Sequence, residues 1–135
     1  MSQTTLIDSN ILIDVANEDP HWFEWSAEHL AIAADHGPIG INPLIYAEFC
    51  QNFQSAEEAD NALPPEIERF ALPYEAGFPA SEAFVAYRKR GGARRSPLPD
   101  FYIGAHAHVH GMRLLTRDVS RFRTYFPDVE LICPE

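Results

Sequence analysis

The chain has 135 residues, 46% of them apolar and 22% charged, with a formal net charge of −10. That length suits one domain with one core over residues 1–135, and the apolar share excludes a disordered chain. No apolar run approaches the ~20 residues of a bilayer span, and no basic-then-apolar leader opens the chain, so neither a membrane segment nor a signal peptide is expected.

Thr4 to Ile7 is a β-branched and aliphatic run ending in Asp8, and reads as a buried first strand. Asn10 to Ala16 and Trp22 to Ala34 are predicted helices, the second stopped by His36-Gly37-Pro38. Ile39 to Ile41 is a short strand. Asn42-Pro43 supplies an N-cap and a first-turn proline for a helix reaching about Gln54. Ser55 can cap a further helix, with Glu57 and Glu58 in its first turn and Pro64-Pro65 at its end. Phe70 to Leu72 is the expected third strand, beside Pro73. Ser81 opens a helix that stops at Gly91-Gly92, and Gly91 to Pro97 reads as a flexible surface loop. Pro99 begins a helix ending at Gly111. Met112 to Leu115 is a strand, Asp118 to about Tyr125 a short helix, and Glu130 to Ile132 a terminal strand. Strands alternate with helices throughout, which predicts a three-layer α/β domain with a mainly parallel central sheet flanked by helices.

In such sheets ligands bind beyond the carboxyl ends of the strands. Asp8 lies at the end of the first strand and Asp118 after the fourth, so the two can converge on one crevice. Taken alone, each reads as a cap for the helix that follows it rather than as a ligand. Glu48 falls between Leu44 and Ile45 in helical projection, beside the apolar face. A carboxylate there is either a snorkelling edge residue or one paired with a cation. Asp100 suits the dipole of its helix. Gly104 and Ala107, at i+4 and i+7, form a small-residue stripe that would let this helix approach the sheet and carry Asp100 inward. Four acids at one site would raise one another's pKa. A divalent cation resolves this, and hard oxygen ligands suit Mg²⁺ or Mn²⁺.

The charge distribution adds to this reading. The first 68 residues carry 13 acids and no Lys or Arg, and all ten basic residues lie from Arg69 onward. Arg88, Lys89, Arg90, Arg94 and Arg95 form a basic run that is either a contact for RNA phosphates or a solvated face. Trp22, Phe23 and Trp25 could stack on bases, but an interface or core role fits their acidic surroundings better. His106 and His110 are an i, i+4 pair without a third ligand, so surface or partly buried histidines are expected rather than a zinc site. Cys50 and Cys133 form no disulfide framework, and reduced thiols in a cytoplasmic protein are expected.

Four segments match one family in order. Ile7-Asp8-Ser9-Asn10, Tyr46-Ala47-Glu48-Phe49, Pro99-Asp100-Phe101-Tyr102-Ile103-Gly104-Ala105-His106-Ala107 and Leu115-Thr116-Arg117-Asp118 with Phe122 resemble the motifs of PIN domains, specifically VapC-type toxins. The resemblance implies that Asp8, Glu48, Asp100 and Asp118 form an acidic metal site, supported by Ser9, Asn10 and Thr116. It implies a metal-dependent endoribonuclease that leaves a 5′-phosphate and a 3′-hydroxyl. It further implies an antitoxin partner, and toxins of this kind commonly form homodimers and larger toxin–antitoxin assemblies. The alternative is a catalytically silent PIN fold that only binds a partner. Dehalogenase-like and receiver-like phosphotransfer domains also place an Asp at the first strand end, but both want a lysine at the site. The only lysine here is Lys89, in the basic run, and Asn10 stands where the dehalogenase-like pattern wants its second Asp.

Overall fold

The computed structural model describes residues 3–95 and 98–135. Five strands form one all-parallel sheet in the order β3-β2-β1-β4-β5: β1 (Thr5–Ile7), β2 (Ile39–Ile41), β3 (Ile67–Arg69), β4 (Arg113–Leu115) and β5 (Leu131–Ile132). Among the described residues seven helices flank it: α1 (Ser9–Ala16), α2 (Phe23–His36), α3 (Pro43–Cys50), α4 (Ala56–Ala62), α5 (Gly77–Lys89), α6 (Pro99–His110) and α7 (Ser120–Tyr125). The result is the expected three-layer α/β arrangement. α1 packs on α2 and α3, whereas α5 and α7 pack on α6. β1 lies at the centre with β2 and β4 on its two edges, so all three of its residues are buried. That is why its sequence shows no polar alternation. The core continues through Ile11, Ile45, Phe49, Phe101, Ile103, Leu114 and Phe122. Among the described residues no helix is long and apolar enough to cross a membrane.

The helix ends follow local chemistry. Asn42 Oδ1 accepts hydrogen bonds from the backbone N–H groups of Leu44 and Ile45 at 3.1 and 3.0 Å, with Pro43 at the first helical position. Ser55 Oγ accepts from the Glu58 N–H at 3.1 Å. Gly111, at φ +62°, ends α6 in the left-handed conformation that glycine adopts without strain.

Three elements differ from expectation by three residues or more. The third strand is Ile67–Arg69, not Phe70 to Leu72. Phe70 makes one last ladder bond, N–H to the Ile41 carbonyl at 2.8 Å. Its ring then covers Gly40, where a Cβ would lie only 2.1 Å from it. α3 ends at Cys50 instead of continuing to about Gln54, because successive N–H bonds from Gln51 to Glu48, Asn52 to Phe49 and Phe53 to Cys50 tighten the chain into a turn. α5 begins at Gly77, ahead of Ser81, after a 3₁₀ turn at Tyr74–Ala76. Pro79 lies in its first turn, where a missing N–H costs nothing. The expected Gly91 to Pro97 loop falls partly outside the described residues. Gly91 to Arg95 are described and carry no regular helix or strand.

The small-residue stripe on α6 also works differently. The space over Gly104 holds the ring of Phe126, which follows α7, and a Cβ on Gly104 would lie 2.4 Å from that ring. Phe126 is itself buried. Gly104→Ala should therefore overpack the α6–α7 contact and destabilise the fold by about 1–3 kcal/mol. Urea unfolding would read this as a lower midpoint with an unchanged slope. An unchanged midpoint would show that the ring yields freely.

Candidate active site

β1 delivers Asp8 to the end of the sheet. The Asp8 N–H donates to the Leu115 carbonyl at 2.9 Å, which extends the β1–β4 ladder through the acid itself. Its side chain caps α1, with Oδ1 accepting from the Ser9 N–H at 2.8 Å. Oδ2 accepts from the Thr116 hydroxyl at 2.8 Å. The capping reading of Asp8 therefore holds, and the same carboxylate also feels its acidic neighbours. Asp8 is only 5% exposed. Burial pushes its carboxyl up to about 7; the Thr116 and Ser9 hydrogen bonds oppose this, and the charges of Asp100 and Glu48 add to it.

Glu48 is half-buried on α3, and the Ser9 hydroxyl donates to its Oε1 at 3.0 Å. Burial raises its pKa, Ser9 lowers it, and Asp100 raises it again. Asp100 stands in the first turn of α6, also half-buried. Burial raises its pKa; a 3.4 Å contact from Arg121 lowers it, and the charge of Asp118 raises it. Asp118 is exposed and does not cap α7, which starts after Val119. Its Oδ1 accepts only a long, 3.5 Å bond from Ser120. The four acids thus come from the ends of β1 and β4 and from α3 and α6, and they are linked in a chain of mutual charge effects. Among the described residues no three His, Cys, Asp or Glu side chains converge closely enough to hold one ion as they stand. The donor set nevertheless fits a hard divalent cation: it is all carboxylate oxygen, and its most buried member is held partly protonated by its surroundings.

The expected supporting residues are all placed around these acids. Thr116 bonds Asp8 and Ser9 bonds both Asp8 and Glu48. Asn10 Nδ2 reaches Thr116 Oγ1 at 3.4 Å, while its Oδ1 accepts from the Arg117 N–H at 3.3 Å.

Four further residues, Asp14, Ser26, Arg117 and Arg121, escaped sequence reasoning as site residues. Asp14 on α1 is buried and grips Arg117 with both oxygens, at 2.6 and 2.9 Å. The Ser26 hydroxyl donates to Asp14 Oδ2 at 2.7 Å. The available signal was an acid inside the apolar run Ile11-Leu12-Ile13-Asp14-Val15, which cannot be buried without a partner. Arg121, partly exposed in a short helix, carries no such signal.

The remaining expectations divide. Arg88, Lys89, Arg90, Arg94 and Arg95 are all exposed. Arg88 Nη1 donates to the Arg94 carbonyl at 2.7 Å, so the run folds back on itself. Trp22, Phe23 and Trp25 are half-buried, with Trp22 beneath the Arg117 guanidinium and Trp25 stacked on His29. His106 departs from expectation: it is fully buried rather than at the surface. Its Nδ1 accepts from Asn42 Nδ2 at 3.0 Å, because Asn42 Oδ1 is already used in the α3 cap. Burial, assisted by His110, lowers its pKa to about 4.

Residues 5–126 match the protein family described as PIN domain. The chain belongs to the PIN-domain family. Solved structures share this PIN fold over nearly the whole chain. VapBC2 from Rickettsia felis, bound to a promoter DNA fragment, is 18% identical, with a TM-score of 0.74 and coverage of 98% of this chain and 99% of that one. VapBC-1 from nontypeable Haemophilus influenzae is 18% identical, with a TM-score of 0.73 and coverage of 96% and 97%. A toxin–antitoxin complex from Klebsiella pneumoniae is 19% identical, with a TM-score of 0.65 and coverage of 97% and 98%. No match was found among curated proteins.

Two of the shifted groups of this PIN domain, Asp8 and His106, bend its stability in opposite directions with pH. In metal-free protein Asp8 keeps its proton up to about 7 when folded, against 3.8 for the ordinary carboxyl. Its contribution is therefore best at low pH and is lost as pH rises from about 4 to about 7. His106 titrates near 4 when folded against 6.5 ordinarily, so its contribution is lost as pH falls through that window. Asp8→Asn removes only the first slope. Urea unfolding in EDTA should show the variant gaining on the parent as pH rises from 5 to 7.5. An equal difference at both pH values would place the Asp8 pKa in the ordinary range.

Proposed function

We propose that the protein is a divalent-metal-dependent endoribonuclease acting as the toxin of a type II toxin–antitoxin pair. The observation that carries this reading is the buried Asp8 carboxylate, pushed up to about 7 and facing Glu48 and Asp100 at the strand ends of a PIN domain. Asp8, Glu48, Asp100 and Asp118 would hold Mg²⁺ or Mn²⁺. When bound, the cation supplies the positive charge that lets these acids ionise together, and a Lewis acid for phosphodiester hydrolysis. Thr116 and Ser9 keep the oxygens of Asp8 and Glu48 aimed. Arg88, Lys89, Arg90, Arg94 and Arg95 would hold RNA phosphates on the approach to Asp100, offsetting the acidic first half.

The toxin–antitoxin reading is supported by the VapBC and toxin–antitoxin structures that share the fold. An antitoxin can inhibit such a site by inserting an Arg or Lys among the acids in place of metal charge. Exposed Tyr74, Phe78 and Val85, on α5 and the turn before it, support a further covering contact, here a homodimer. Free Cys50 and Cys133 suit the cytoplasm.

Cleavage of mixed cellular RNA should require Mg²⁺ or Mn²⁺, stop in excess EDTA and leave 5′-phosphate ends. Asp8→Asn, still folded, should be inactive. Full activity in EDTA, or cyclic-phosphate ends, would overturn the metal mechanism. Wild-type protein that binds antitoxin but cleaves nothing would leave a silent binding module.

Changing Arg94 and Arg95 together to Ala should weaken RNA binding and flatten the log–log salt dependence by about 1–2, or roughly 0.7–0.9 for each phosphate no longer neutralised. An unchanged affinity at low salt would make the run a solvated face.

A further inference from the structure

Thr116 to Val119 lies between β4 and α7 and carries no regular helix or strand. This four-residue segment holds both the hydroxyl that aims Asp8 and the acid Asp118. Asp118 does not hold itself in place, since it is exposed and its carboxylate makes only the long bond from Ser120. The segment must be fixed by its neighbours. Thr116 N–H donates to the Ile132 carbonyl at 3.0 Å, and Asp118 N–H donates back to Thr116 Oγ1 at 3.1 Å.

The strongest hold comes from Arg117. Its side chain turns away from the acids and into the α1–α2 layer. Nε and Nη2 donate to the two oxygens of Asp14 at 2.6 and 2.9 Å, a two-pronged geometry that fixes orientation as well as distance. The Asp14 side chain is 3% exposed and takes a third bond from Ser26, so the anchor is rigid and buried. Trp22 lies under the guanidinium, 4.9 Å from ring centroid to Cζ. The Arg117 backbone N–H donates to Asn10 Oδ1, on the same helix as Asp14.

We infer that Arg117 is a positioning residue for the metal site: clamped by Asp14 and Trp22, it sets where Thr116 and Asp118 stand relative to Asp8. This rests on the metal-dependent reading above. A simple electrostatic role makes the opposite prediction. Arg117 is a cation beside an acidic site, so removing it should tighten cation binding if charge is all that matters. Removing a clamp should loosen it. Groups that orient metal ligands typically change affinity by about 10–100-fold when lost.

The test titrates Mn²⁺ alone, by electron paramagnetic resonance, into wild-type protein, Arg117→Lys, Arg117→Met and Asp14→Asn. Thermal unfolding in EDTA checks that each is folded. Arg117→Lys keeps the charge but loses the fork, so it remains informative if Arg117→Met does not fold. Arg117→Lys and Asp14→Asn should each weaken Mn²⁺ binding by about 10–100-fold. Combining Asp14→Asn with Arg117→Lys should weaken it little further, because the two act as one unit. Unchanged or tighter binding in folded Arg117→Lys overturns the inference while leaving the metal reading intact. Wild-type protein that binds no Mn²⁺ overturns both.

Discussion

The contact between Asp8 and the Thr116 hydroxyl, 2.8 Å long, joins the ends of the paired strands β1 and β4 and puts a carboxylate where water scarcely reaches. Burying an ionised carboxylate without compensation is prohibitive, so the surroundings supply two hydrogen bonds, from Thr116 and from the Ser9 N–H at the start of α1. Those are enough to keep the group in place and not enough to restore an ordinary pKa. Ser9 then uses its hydroxyl on Glu48, so one residue supports acids on two different elements. The hydrogen-bonded frame consists of β1, β4 and the α1 N-terminus, and the other acids are arranged about it.

Much of that frame is visible in the chain itself. A β-branched run ending in an acid locates β1 and Asp8 together, because parallel strands are buried on both faces and ligand groups sit at their ends. Proline and glycine bracket α6, and its first turn holds Asp100. Glu48 stands out because it sits beside an apolar face. What stays hidden is set by contacts distant in sequence. Phe70 leaves the sheet early because its ring covers Gly40, and nothing local in Phe70-Ala71-Leu72 reveals that. His106 looks like one of three alternating histidines at a helix end, and only the packing of α6 against Asn42 separates it from exposed His108 and His110. Arg121 is the only cation among the described residues that pairs with one of the four acids, a fact that exists only once α7 is placed beside α6.

Charge along the chain gains meaning from this arrangement. The acidic first half supplies Asp8, Asp14 and Glu48, and the second half returns a basic residue to Asp14 and another to Asp60. Arg117 crosses to Asp14 on α1, and Arg69 pairs with Asp60 at 2.6 Å. The second of these pairs is exposed on both sides and contributes little. The first is different in kind, since Asp14 is buried and would be left as an uncompensated charge without Arg117. The same net charge thus conceals one pair that holds the site together and one that only decorates the surface.

A second buried polar contact ties the cap of α3, which carries Glu48, to α6, which carries Asp100. Asn42 does two things at once: its oxygen caps α3, which carries Glu48, and its amide donates to His106 on α6, which carries Asp100. That leaves His106 Nε2 protonated and, among the described residues, without a partner, a burial cost of about 1–3 kcal/mol. An apolar residue of similar size could avoid the cost, but it could not read the Asn42 amide. The contact therefore joins, at some cost in stability, the two helices that carry Glu48 and Asp100. It also explains why His106 is not available as a surface ligand alongside His110: its Nδ1 is spoken for by the cap, and its ring stands edge-on to Phe70 within the core.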